Sequence, residues 1–309
     1  MKIIFFVIAL LFGKYYLHAQ LKWSISDSIQ PTLPNNLTLY FTIDSLDGKP
    51  NKAYYIKANL KNKNLVFDVD TTLQRRLTPF AFFEKNKQPI VVVNGTFFSY
   101  KTNQNLNTVI KNGRAISFNT PNTKGIGTDS TKTVKMYRSA IGISKRRNAD
   151  VAWVNSDSSK KASASQTPIT PITANNIITE KNIFKKWRVK TAIGGGPVLI
   201  QNRGIAISNN EELLFAEKAK FDKHPRTAMG YTADGYLIIL VVEGRNAGVA
   251  EGANLLQLAN ILKDIGCVEA LNLDGGGSSC MLVNGKETIK PSDKTGQRAV
   301  PAVFMIKTK

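Results

Sequence analysis

Four times along the chain a short apolar run stops at a turn of glycine and polar residues: Asn94-Gly95, Gly194-Gly195-Gly196, Glu243-Gly244-Arg245 and Asp274-Gly275-Gly276-Gly277. The preceding runs, such as Ile90 to Val93 and Leu240 to Val242, are β-branched or aliphatic throughout and too short for helices. They read as strands buried on both faces, which a fold satisfies only by covering each sheet on both sides. Glycine lets backbone amides approach a ligand or a neighbouring chain closely. Any one of these turns alone reads as a tight connection. Four together point to a shared site at strand ends, held by loops on a rigid sheet.

The rest of the chain agrees with a strand-rich fold. Leu37 to Ile43 and Ala53 to Leu60 flank a turn-rich spacer, residues 44 to 51, and predict a hairpin; Leu65 to Val69 is a further short strand. Thr78-Pro79 opens a helix over Phe80 to Lys87, and Leu255 to Ile265 has one apolar helical face closed by Gly266. Lys111-Asn-Gly-Arg114, Ala233-Asp-Gly235 and Asn284-Gly285 mark hairpin turns. Val134 to Ile143, Val151 to Val154, Val268 to Leu273 and Ala299 to Lys307 read as strands. Residues 155 to 176 form a Ser/Thr/Lys/Pro stretch without apolar periodicity, expected to be a loose surface insertion. The expected fold class is α+β (mixed α/β): a strand-rich single domain, residues 20 to 309, with mixed sheets and a few helices, its site at the glycine-rich strand-end turns.

Lys2 followed by the apolar run Ile3 to Phe12 and the exit Leu17-His-Ala-Gln20 has the layout of a signal peptide over residues 1 to 19, with an uncleaved N-terminal anchor as the alternative. Ten apolar residues are short for a hydrocarbon core of about 30 Å. The expectation is an exported protein, periplasmic, cell-surface or secreted, without an integral membrane span after cleavage. Removal of Lys2 and Lys14 takes the formal charge from +20 to +18. That excess either decorates solvated faces or attracts an anionic partner. Export and the absence of zinc-finger, RNA-recognition or basic heptad patterns argue against nucleic acid.

Scarcity narrows the chemistry. The chain has two histidines, His18 and His224, and two cysteines, Cys267 and Cys280, so clustered His or Cys metal sites are excluded. The cysteines read either as a disulfide or as two separate buried thiols. No Walker loop, dinucleotide fingerprint or lipase-type nucleophile elbow is present. No cofactor or metal is expected, although Asp274 and Asn94 supply oxygens that a Ca²⁺ or Mg²⁺ site could recruit together with distant loops.

Carboxylates and arginines remain. Asp274 ends an apolar strand and enters a run of three glycines and two serines, longer than a simple turn needs; the local alternative is an Asx-turn. Glu243 ends another strand, either at the rim of a site or paired with Arg245, and with Asp274 it offers the two carboxylates used in glycosidic cleavage. Arg226, behind His224-Pro225, has the planar fork that suits phosphate, and His224 beside a proline reads as structural.

Six segments occur in order: Val91-Val-Val-Asn-Gly-Thr-Phe-Phe98, Ala192-Ile-Gly-Gly-Gly-Pro-Val-Leu199, His224-Pro-Arg-Thr-Ala-Met-Gly230, Val241-Val-Glu-Gly-Arg245, Leu271-Asn-Leu-Asp-Gly-Gly-Gly-Ser-Ser279 and Gln297-Arg-Ala-Val300. This set resembles the phosphodiester glycosidase family, whose bacterial members are linked to exopolysaccharide, over about Ala53 to Ile306. The resemblance implies hydrolysis of a sugar-1-phosphate diester at its glycosidic bond, with an anionic sugar-phosphate glycan as substrate. It implies catalytic roles for Asp274, Glu243 and Arg226. Substrate contacts are expected from Asn94, Gly95, Gly195, Gly196, Arg245, Gly275, Gly276 and Ser278. The sequence departs from the family pattern at Thr96, Glu243 and Cys280, and the second departure lengthens the reach of a proposed catalytic group. Two alternatives stay open: a non-catalytic glycan-binding or envelope-assembly protein, and a phosphodiesterase that cleaves the P–O bond.

Overall fold

The computed structural model describes residues 20–120, 122–124, 131, 133–172, 183–216 and 219–309. The expected signal peptide lies outside the described residues, as do residues 173–176 of the expected insertion.

Three sheets account for most of the chain. An eight-stranded sheet runs in the order Ser24–Ile25, Leu37–Thr42, Ala53–Asn59, Tyr236–Val242, Arg226–Thr232, Cys267–Asn272, Val198–Gln201, Gly204–Ile205. A seven-stranded sheet has the order Lys185–Lys186, Ala162–Ser165, Ala149–Ser156, Ser139–Ser144, Val189–Gly194, Val109–Lys111, Arg114–Ser117. The third, of five strands, has the order Lys286–Glu287, Met281–Val283, Val91–Asn94, Ala302–Thr308, Leu65–Thr71. The expectation of mixed sheets is corrected, because neighbouring strands in all three pair antiparallel. Parallel neighbours need long crossovers, usually helical. Among the described residues only one helix, Leu255–Asp264, reaches ten residues.

Period-two side-chain alternation explains why these strands are apolar on both faces. Along Tyr236–Val242, Leu237, Ile239 and Val241 enter a core shared by all three sheets, where they join Phe304, Val93, Ile141 and Trp153. Ile238, Leu240 and Val242 point the other way, onto Leu255, Leu258 and Leu262 of the long helix. In the five-stranded sheet Val91 and Val93 face the shared core, whereas Val92 packs under Phe82 of the helix Pro79–Lys85. That helix starts at Thr78, whose hydroxyl accepts the Ala81 N–H at 3.1 Å. The long helix has a full capping box between Asn254 and Gln257, and Gly266 follows it at φ 98°.

Two sequence expectations meet different local structure. Val134 to Ile143, read as one strand, is split into Thr133–Lys135 and Ser139–Ser144. Within residues 155 to 176, Ala162–Ser165 pairs with the strand Ala149–Ser156, and Ile169 is buried in the shared core. Cys267 and Cys280 are both free and buried, so the separate-thiol reading applies. Among the described residues no helix is long and apolar enough to cross a membrane.

Candidate active site

Antiparallel pairing puts one end of three neighbouring strands together: Arg226 lies opposite Val242, and Ala228 opposite Asn272. Glu243 and Asp274 therefore emerge at the same edge, one on each side of the strand that begins with Arg226. The four glycine turns converge here. Gly276 N–H donates to the Pro225 carbonyl at 2.8 Å and Gly196 N–H to that of Asn272 at 2.7 Å. Gly95 accepts from Asp274 N–H at 3.0 Å. A β-carbon on Gly244 would lie 2.8 Å from Pro225 N.

The Asp274 backbone is gripped from both sides, since its carbonyl also accepts from Asn94 Nδ2 at 2.6 Å. Asn94 Oδ1 accepts from Thr227 Oγ1 at 2.8 Å and from Cys280 N–H at 3.1 Å. Asn94 is wholly buried. Expected to hydrogen-bond substrate, it instead ties the 274–280 loop to two strands through its amide. Gly95 acts with it, through its carbonyl.

The Asp274 side chain is different. Its Oδ2 is shielded from solvent and, among the described residues, has no hydrogen-bond partner. Burial pushes its pKa up to about 7, against the opposing pull of the Ser278 hydroxyl, the Arg298 charge and the Gly275 N–H. Two guanidiniums flank this loop. Arg245 lies against Gly276, where a β-carbon would be 3.2 Å from Nη2. Arg298 lies against Gly277, and a β-carbon there would collide with its guanidinium. Arg298 is held by Asp293, with Nε to Oδ2 at 2.6 Å, and reaches Ser278 Oγ at 3.5 Å. Its guanidinium also stands 5.6 Å from the ring centre of the exposed Tyr100.

Arg226 sits under the loop, its Cδ 3.9 Å from a β-carbon built on Gly275. Its Nε donates to the Ala253 carbonyl at 2.9 Å and Nη2 to that of Asp222 at 3.1 Å. Only 2% of the residue is exposed. It was expected to contact phosphate directly; with Nε and Nη2 occupied, it contributes buried positive charge from below. Burial, and then the neighbouring charge of Arg245, lowers its pKa to about 10, so it stays a cation at neutral pH. His224 Nδ1 lies 3.2 Å from Arg245 Nη2, and burial with the two arginines lowers its pKa, which keeps the ring neutral beside them.

Glu243, expected to pair with Asp274, has both oxygens engaged by other residues. It is 1% exposed, Oε1 accepts from Asn246 Nδ2 at 2.7 Å, and Oε2 accepts from Lys290 N–H at 3.1 Å and lies 3.6 Å from Lys52 Nζ. With both oxygens engaged and the side chain buried, it holds neighbouring segments together. Gly195 and Gly196, expected to meet substrate, are also buried: β-carbons there would strike the Asn272 carbonyl and Glu212. Ser278 and Gly275, expected to contact substrate, donate hydrogen bonds to the Asp274 carboxylate.

Two participants were not singled out from sequence. Arg298 lies in the Gln297-Arg-Ala-Val300 segment, but its place at the site is shown only by its contact with Gly277 and its charge beside Asp274. Glu212 is fully buried, its pKa raised by burial, and accepts from Ser139 N–H and Oγ, Trp153 Nε1, Val198 N–H and Ser208 Oγ. Five donors make it a fixed hub between the eight- and seven-stranded sheets. Among the described residues no group of three His, Cys, Asp or Glu side chains is positioned to hold a metal ion. A carboxylate with one oxygen left without a partner, beside three arginines, can bind a negatively charged group and exchange a proton next to it.

Residues 87–307 match the family described as "Phosphodiester glycosidase". Among curated proteins, the chain is 34% identical over 103 residues to the mouse N-acetylglucosamine-1-phosphodiester alpha-N-acetylglucosaminidase, covering 31% of this chain and 20% of that protein. It is 41% identical over 71 residues to the prophage-derived YomE of Bacillus subtilis, covering 23% of this chain and 11% of that protein. The chain thus spans a fifth or less of the length of these curated relatives. Among solved structures, the catalytic domain of the zebrafish N-acetylglucosamine-1-phosphodiester alpha-N-acetylglucosaminidase, auto-inhibited by its pro-peptide, superposes with a TM-score of 0.58 at 20% identity, over 94% of this chain and 89% of that one. A Synechocystis protein superposes with a TM-score of 0.60 at 16% identity, over 89% of this chain and 62% of that one. These likenesses are of fold. The family match covers most of the chain and includes the turns that converge on Asp274, and on that ground the chain belongs to the phosphodiester glycosidase family.

Proposed function

We propose that the protein is an exported glycosidase that hydrolyses the glycosidic bond of sugar-1-phosphate diesters in a glycan or exopolysaccharide. The observation that carries this reading is the Asp274 carboxylate, whose Oδ2 is shielded from solvent and has no hydrogen-bond partner among the described residues, on a glycine loop clasped by Arg245 and Arg298. A phosphate leaves without needing a proton, so one carboxylate suffices if cations take up the charge that develops on the departing oxygen. Arg245 and Arg298 supply those donors at the surface, and Arg226 adds positive charge from beneath. Asp274 is the base that takes a proton from water as that water attacks the anomeric carbon. A pKa of about 7 suits the task, since the group is substantially ionised near neutrality yet still a useful proton acceptor. The exposed Tyr100, stacked by Arg298, forms the rim on which the sugar or its aglycone rests.

The test is hydrolysis of a panel of sugar-1-phosphodiesters in ¹⁸O-water. Label in the sugar supports glycosidic cleavage, and label in the phosphate establishes P–O cleavage instead. Attack by water in a single displacement also requires the first-formed sugar to have the inverted anomeric configuration. Proton NMR of the nascent product reads this directly, and retention would assign Asp274 as a nucleophile.

A further inference from the structure

The outer face of the seven-stranded sheet carries a groove that the Asp274 site does not use. Its two arms, of about 790 and 810 Å³, meet at Arg114, Lys186 and Trp187. Lys160 and Lys161 line the first arm; Lys145, Arg146 and Arg188 line the second. Among the described residues none of these cations is held in an ion pair. Among the described lining residues the one carboxylate is Asp157, whose Oδ1 accepts the Ser159 N–H at 2.8 Å.

Trp187 is fixed as a platform between the arms. A β-carbon on Gly142 would come within 2.6 Å of the indole Cζ2 and 2.7 Å of Cη2, so only glycine lets the ring lie on the sheet. Indole Nε1 donates to Asp150 Oδ2 at 2.5 Å, and the Trp187 backbone N–H donates to the Ala162 carbonyl at 3.0 Å. The half-buried ring lines both arms, with its polar edge already satisfied. Hydroxyl and amide side chains surround it: Asn155, Ser159 and Ser163 in one arm, Asn112 and Ser144 in the other.

We propose that this groove is a second binding site, for an extended anionic polysaccharide. A sugar ring packs its apolar face on Trp187, while phosphate or carboxylate groups on either side meet the lysines and arginines. Asp157 and the neighbouring hydroxyls favour a glycan over a nucleic acid, because sugar hydroxyls donate hydrogen bonds to a carboxylate whereas a continuous phosphate backbone is repelled by one. The groove lies near the start of the strand Val189–Gly194, and the other end of that strand leads into Gly195, against Asn272 and Leu273. Six residues at about 3.3 Å each put the two sites about 20 Å apart along the strand. The groove would thus hold the polymer at a distance from the cleavage site. The ligand class rests on the function proposed above; the groove itself shares no residue with the Asp274 loop.

Calorimetric titration of the full chain with a capsular polysaccharide linked by sugar-1-phosphate diesters tests this, with neutral dextran and a 20-mer oligothymidylate as comparators. Binding of the phosphorylated polymer, but not of dextran, is expected, and it should weaken as salt is raised because the cations are exposed. K160A/K161A/K186A and W187A should each weaken it at least about tenfold, while turnover of a small sugar-1-phosphodiester stays within about twofold of wild type. The triple variant changes only exposed side chains and serves if W187A fails to fold. Unchanged affinity in the triple variant, or oligothymidylate bound as tightly as the polysaccharide, overturns the proposal. Groove-dependent binding with no hydrolysis by the wild type supports the groove and removes the catalytic reading instead.

Discussion

Asp274 has opposite effects on folding and on activity. Its folded pKa of about 7 lies above the ordinary aspartate value, so the folded state keeps a proton that the unfolded state releases. Its contribution to stability is therefore greatest at acid pH, falls as pH rises from the usual aspartate range to about 7, and is constant above that. D274N removes this penalty. It should raise Tm at pH 8 by about 2–4 °C and by less at pH 5, as thermal unfolding at the two pH values will show. The same substitution should abolish turnover, because an amide cannot accept the proton. In the wild type, kcat/KM should rise with pH through about 7 and then level off; a rate that falls over that range would assign the reacting group to the protonated form. Arg298 holds the Asp274 pKa down, so R298A should move that midpoint upward as well as lower kcat by about 10²–10³-fold. A loss of rate without the pH shift would make Arg298 a purely structural contact.

The element that carries the site is the loop after Cys267–Asn272, and its glycines are there to admit arginines. Gly276, at φ 60°, tucks under Arg245, and Gly277 faces Arg298. The side chain that a Gly277→Ala methyl would displace is the guanidinium end of a residue tethered to Asp293, which can yield only by leaving Asp274. G277A should therefore cost about tenfold or more in kcat with little change in Tm, a combination readable from kinetics and thermal unfolding on one preparation. The long glycine run at Asp274 was visible in the sequence, and so was its place after an apolar strand. The jobs of Asn94, Gly195 and Glu243 were not. Each is a polar or small residue beside a glycine turn, as a ligand-binding residue would be, yet each is buried with its polar atoms or its free space consumed by another strand. Local sequence does not distinguish a residue that meets substrate from one that holds the residue that does.

Across the molecule, three antiparallel sheets share one core, to which Phe304, Trp153 and Leu237 come from different sheets. Phe304 is 1% exposed, and F304A should cost about 3–5 kcal/mol, measurable by urea unfolding. Because the same core fixes the strand ends around Asp274, that variant should also lose activity well below its unfolding midpoint. The sequence by itself determined most of the central strands and hairpins, both principal helices and the glycine turns. Those follow from side-chain period and turn chemistry within a few neighbouring residues. It also determined that carboxylates and arginines, rather than histidines or thiols, were the groups available for a site. Only the tertiary structure decided that Asp274 keeps one oxygen without a partner while both oxygens of Glu243 are engaged. Only it brought Arg298 to the loop and set Trp187 on Gly142 among the groove's lysines and arginines. Those outcomes depend on which buried oxygen finds a donor from a strand far along the chain, and such pairing is settled by packing between sheets.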